Sequence, residues 1–77
     1  MEPVVLVDGR WLEPPEPMER VLPALNDLRP GQTLRFLIHR EPTPLYALLR
    51  DRGLHHVVRP IGEGCFEVLI THPHTPS

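Results

Sequence analysis

The fold this chain of 77 residues predicts is a two-layer α/β sandwich of order βαβαββ, an α+β protein with two helices on one face of a four-stranded mixed sheet. Three observations carry that expectation. Two stretches with apolar residues at steps of three and four separate short runs that are β-branched or alternate apolar with polar. Prolines and glycines fall at the boundaries between them. The last two runs flank Gly62-Glu63-Gly64, a tight-hairpin signal. Each helix must bury one stripe, and right-handed crossovers place both stripes on the same side of the sheet.

Residues 4–7, Val-Val-Leu-Val, are apolar on both faces and read as a buried first strand. Asp8-Gly9-Arg10 ends it. Pro14-Pro15 then blocks regular structure until Pro17, which suits the first turn of a helix, with Glu16 and Glu19 at its positive end. Met18, Val21, Leu22, Leu25 and Leu28 form the apolar stripe. Pro23 removes one hydrogen bond, but it falls on the polar side, so a bend rather than a break is expected. Arg29-Pro30-Gly31 closes the helix.

From 33 to 39, Leu34, Phe36 and Ile38 alternate with Arg35, Leu37 and His39, a half-buried strand. Thr43 followed by Pro44 reads as an N-cap and first-turn proline opening the second helix. Leu45, Leu48 and Leu49 face inward, and Gly53 ends it. Residues 55–60 and 65–71 are the last two strands, and 72–77 a frayed tail of a single domain. Val5, Val7, Leu22, Leu25, Phe36, Ile38, Leu45, Leu48, Leu49 and Val68 are expected in or near the core.

Composition removes several chemistries. The basic residues are eight Arg with no Lys, and the only serine is Ser77, which argues against Schiff-base catalysis, P-loop phosphate binding and a Ser-His-Asp hydrolase. A net charge of −2 with one Trp, one Tyr and two Phe argues against nucleic-acid binding. No apolar run approaches the ~20 residues that cross a bilayer, and Met1-Glu2-Pro3 lacks a basic leader, so a cytoplasmic, non-membrane protein is expected. A single cysteine permits no internal disulfide.

Leu12-Glu13-Pro14-Pro15-Glu16-Pro17-Met18 resembles the signature of the TusA-like sulfur-carrier proteins, which run Cys-Pro-x-Pro into a helix. Pro15-Glu16-Pro17 keeps the Pro-x-Pro, while Pro14 stands where the family's sulfur-carrying cysteine would be, and proline holds no persulfide. His39-Arg40-Glu41-Pro42-x-Pro44-Leu45-Tyr46 is similar to the hallmark of an uncharacterised bacterial branch of that superfamily, which also carries Leu-x-Pro-Pro-x-Pro-Met at the first turn. The resemblance covers nearly the whole chain and implies the same sandwich. It brings no established activity.

In a βαβα arrangement the ends of the first two strands and the starts of both helices share one sheet edge. Arg10, Trp11, Glu13, Glu16, His39, Arg40, Glu41 and Tyr46 are therefore the candidate ligand- or partner-binding residues. Helix N-termini with free N–H groups would favour an anion, reinforced by Arg10 and Arg40. The competing reading is an Arg–Glu lattice that only pins the two loops. The expected role is a non-enzymatic binding module for a partner protein or a small anionic or redox-related ligand, acting as a monomer or weak homodimer, with no cofactor and no catalytic or metal-ligating residues. Two alternatives stay open: sulfur transfer through Cys65, and metal or haem binding through histidines. Against the first, Glu63 and Glu67 flank the thiol. Against the second, His55 and His56 point to opposite strand faces, and His72-x-His74 lies in the tail. His39 is expected to be a hydrogen-bonding structural residue.

Overall fold

The structure is a computed structural model that describes residues 4–73. Its elements are β1 (Val4–Asp8), α1 (Glu16–Asp27), β2 (Thr33–Ile38), α2 (Thr43–Asp51), β3 (His55–Gly62) and β4 (Cys65–Thr71), in the expected order. They form one sheet of order β1-β2-β4-β3, with β1 parallel to β2 and β4 antiparallel to both of its neighbours. Among the described residues no helix is long and apolar enough to cross a membrane.

Register sorts the side chains onto two faces. Phe36 lies opposite Val7 on one side and Val68 on the other, and Val68 lies opposite Val58. Leu34 and Ile70 form the adjacent row. Phe36, Val68, Leu34 and Ile70 share one buried cluster with Val21, Leu25 and Leu28 from the first helix region and Leu45 and Leu49 from the second. Both helices therefore cover the same face, α1 over β1 and β2, and α2 against β3. Leu22, Leu48 and Val7 sit half-buried at the margin of the cluster.

The helix boundaries follow local chemistry. The first helix continues through Pro23, which is exposed, so the missing N–H leaves only the Glu19 carbonyl without its helical donor on the solvent side. The second ends in a Schellman arrangement: Leu54 N–H donates to the Leu49 carbonyl, Gly53 N–H to that of Arg50, and Gly53 has φ +71°. Glu63 and Gly64 both have positive φ in the β3–β4 turn, the type I′ geometry that matches strand twist.

Three expectations are corrected. The first strand is not buried on both faces: Val4 and Leu6 are exposed, because the sheet face opposite the helices carries no second layer. Thr43 is the first residue of α2 rather than its cap; Pro42 holds that position, with no side-chain cap bond. His72 is no part of a frayed tail, since it is half-buried with Nε2 2.9 Å from the Leu28 carbonyl. The remainder of that tail, 74–77, lies outside the described residues.

Candidate functional site

Five prolines converge where the two strand-to-helix loops meet. Pro14, Pro15 and Pro17 come from the β1–α1 junction and Pro42 and Pro44 from the β2–α2 junction. Together with Met18, Ile38 and Arg40 they line a cavity of about 240 Å³. Its walls are rings and aliphatic chains, and Arg40 is its one charged contributor. Proline rings have fixed φ and little freedom to lose, so the cavity is stiff before anything binds. The volume falls below the ~300–1,000 Å³ of pockets that enclose drug-sized ligands.

A second link joins the loops. The Trp11 backbone N–H donates to His39 Nδ1 at 2.9 Å, and the two rings stack with centroids 5.3 Å apart. Trp11 has φ +65°, a left-handed conformation that costs a bulky residue roughly 1–3 kcal/mol. The hydrogen bond and the stacking offset that cost. They leave the indole 65 % exposed, beside a histidine whose chain neighbours Ile38 and Arg40 both line the cavity. His39 thus serves as a hydrogen-bond acceptor in the loop architecture.

The other candidate residues divide. Glu41 accepts a bond from the Tyr46 hydroxyl at 3.3 Å, and Tyr46 stacks on His56 with centroids 4.9 Å apart. Burial, and then the Glu41 charge, push the Tyr46 phenol up from its ordinary pKa. Arg10 turns back to Asp8, with Nη2 to Oδ2 at 2.9 Å, and Glu16 pairs loosely with Arg20 at 3.8 Å. Glu13 contributes its carbonyl, which receives the Glu16 N–H. Arg40 has no ion pair among the described residues, and no ion pair there joins the two loops. The Arg–Glu lattice is therefore absent from this edge, and Trp11–His39 takes its place.

The expected fan of free N–H groups is also largely closed. Glu16 N–H bonds the Glu13 carbonyl at 2.9 Å, and Glu19 N–H that of Pro15 at 3.1 Å. Thr43 and Leu45 N–H groups bond the Glu41 and Pro42 carbonyls at 3.0 and 2.9 Å. Pro17 and Pro44 have no N–H to offer. The same prolines that open each helix remove its anion-binding donors, which leaves an apolar site with one cation at its rim.

Gly9, which in sequence only marks the end of β1, also contributes to the site. A Cβ there would lie 3.0 Å from the Phe36 ring, 3.3 Å from Pro17 Cβ and 3.4 Å from the Leu37 carbonyl oxygen. Gly9→Ala is expected to destabilise the fold by about 1–3 kcal/mol, read by urea denaturation, because it overpacks the wedge behind the Pro17 wall. An unchanged midpoint would show that the wall gives way freely.

The histidine alternative meets a geometric obstacle, since no group of three or more His, Cys, Asp or Glu among the described residues is placed to hold a metal. Cys65 is buried, with Sγ 3.9 Å from the Glu63 carbonyl. The β2–β4 register, Ile38 opposite Phe66, brings it to the same end of the sheet as Arg10. Arg10 is held more firmly protonated by Asp8 first, and in smaller measure by Cys65 and Glu63. That neighbourhood was invisible in the linear order.

A family model described as Uncharacterized conserved protein (DUF2249) matches residues 6–72. No curated protein and no solved structure matches the chain.

Proposed function

We propose, from the premise that this chain belongs to the DUF2249 family of uncharacterized conserved proteins, that it is a non-enzymatic binding module that receives an apolar side chain of a partner protein in the proline-lined cavity. The carrying observation is the cavity itself: stiff, apolar, sized for one side chain, and lined in part by Arg40, which has no ion pair among the described residues. Trp11, exposed at the same junction as three of the lining prolines, is the residue type that most often anchors an interaction hot spot. Arg40 adds a preference for a carboxylate next to the inserted side chain. Kinship with the TusA-like superfamily belongs to this reading. It is supported by the Pro-x-Pro turn and by the βαβαββ order that the resemblance implies.

The test uses small probes observed by NMR. N-acetyl-leucine and N-acetyl-phenylalanine, each an apolar side chain with a carboxylate, are expected to shift amides at 16, 18, 40, 41, 43, 45 and 46. Sulfate, phosphate and thiosulfate should leave them still. Arg40→Ala should weaken the response about tenfold, roughly 1.4 kcal/mol, while the melting temperature stays nearly constant. Shifts confined to another surface, or a response to the inorganic anions alone, would refute the apolar site.

One observation favours sulfur transfer as a second reading: Cys65 lies at the same sheet end as the loops. Its burial opposes that role. A persulfide on the wild-type protein after exposure to a sulfur donor, lost in Cys65→Ala and read by mass spectrometry, would decide for it.

A further inference from the structure

The sheet face opposite the helices carries a charged device that the proline-lined site does not use. Glu67, in the centre of β4, is only 2 % exposed and binds two arginines from flanking strands. Arg35 Nε reaches Oε2 at 2.5 Å and Arg59 Nε reaches Oε1 at 2.6 Å. Each guanidinium uses Nε for this bond, and its terminal amino groups make no hydrogen bond to another side chain among the described residues. One buried carboxylate therefore holds two arginines close together at the surface. This removes much of the rotamer freedom they would otherwise lose on binding.

Register gives the surroundings. Leu6, Arg35, Leu69 and Val57 form one row across the open face, and Asp8, Leu37, Glu67 and Arg59 the next. Leu6 is 58 % exposed and Val57 63 %, at opposite ends of a row that spans about 14 Å at ordinary strand spacing. The face thus presents aliphatic flanks around a cationic centre. At its centre two guanidiniums, Arg35 and Arg59, stand against the one carboxylate of Glu67, on a chain whose net charge is −2.

We infer that this open sheet face is a second docking surface, separate from the proline-lined site, for a partner-protein segment that carries an Asp or Glu between apolar side chains. The carboxylate would bridge the free amino groups of Arg35 and Arg59, and its apolar neighbours would cover Leu6 and Val57 and exclude water from the ion pair. Charge selects this occupant. A second copy stacked face to face would oppose two sets of arginines, each already in excess. A nucleic acid would need a basic field wider than this one.

The test selects a 12-residue peptide library on phage against the purified protein, then measures the enriched sequences as synthetic peptides. Expected is a shared acidic residue flanked by aliphatic or aromatic ones, with NMR amide shifts at 55–59 and 67–69 and none at 16, 18 or 43. Replacing the peptide's acid by its amide should weaken binding at least tenfold. Val57→Asp and Leu6→Asp, both at exposed positions, should do the same without disturbing the fold. The triple change Arg35→Gln, Arg59→Gln, Glu67→Gln, which leaves no charge unpaired, should abolish it, and Arg40→Ala should leave it intact. A neutral or basic consensus, peptides that map to the prolines, or no enriched peptide would overturn the inference. So would concentration-dependent self-association in sedimentation that Leu6→Asp removes, because the occupant would then be a second copy.

Discussion

Replacing Arg35 and Arg59 together with methionine is expected to lower the unfolding free energy by about 3 kcal/mol, measured by urea denaturation at neutral pH. Glu67 is buried in the middle of a sheet strand, and these two guanidiniums are its hydrogen-bond donors among the side chains described. Removing both leaves a carboxylate under aliphatic stems with nothing to balance its desolvation. The figure sits at the low end for a broken buried pair, because both arginines are substantially exposed and water can reach the site. Each single change should cost clearly less than half, since the remaining arginine still holds the charge. Adding Glu67→Leu to the double variant should recover most of the loss. A double variant as stable as the wild type would mean that Glu67 is solvated by another route.

The same triad sets a pH dependence. The hydrogen bond from Arg35 holds the Glu67 carboxyl below its ordinary pKa; burial pushes the other way, and Arg59 adds to the lowering. The Arg10 side chain lowers Asp8 to about 2. Both folded values lie below the unfolded ones, near ~4. The stabilisation is therefore complete above the unfolded pKa and is lost as pH falls through the folded values. Urea midpoints should decline from about pH 5 downward, and Glu67→Gln should flatten that decline by its share.

Phe36→Ala is expected to have the larger effect, about 3–5 kcal/mol. The ring is fully buried at the centre of β2, between Val7 and Val68, and forms the floor against which Gly9 packs. A chain of this size has a total stability of about 4–12 kcal/mol, so this one truncation removes a large share of it. Thermal unfolding should drop by more than ~10 °C, and loss of the Phe36 ring should loosen the Gly9–Pro17 contact behind the proline cavity. Val57→Ala, on the open face, should stay within ~0.5 kcal/mol. A Phe36→Ala variant that melts within a few degrees of wild type would place the core elsewhere.

Much of the architecture was legible in the linear chain because it is written in local rules. The three- and four-residue spacing of Val21, Leu25 and Leu28, the alternation of Leu34, Phe36 and Ile38, Gly53 at a helix end and Glu63-Gly64 in a hairpin each act within a few residues. The convergence of the two proline loops was also legible, since βαβα connectivity places both at one sheet edge. The chemistry of that edge was not. The prolines that announce the helices also delete their N–H donors, and whether the remaining donors are free depends on which carbonyl each one meets.

What the sequence determined by itself is the order of elements, the face each helix buries and the stiff composition of the candidate site, because periodicity and backbone restriction are properties of neighbouring residues. Only the tertiary structure decided that Glu67 would be buried between Arg35 and Arg59, that Trp11 would stack on His39, and that a Cβ at Gly9 would crowd the Phe36 ring. Those contacts join residues 8 to 32 positions apart or depend on strand register. Alternation assigns a side chain to a face, but it cannot say whether that face has a second layer or which side chain on the next strand stands opposite. Pairing distance in space, set once the sheet closes in the order β1-β2-β4-β3, supplies that information.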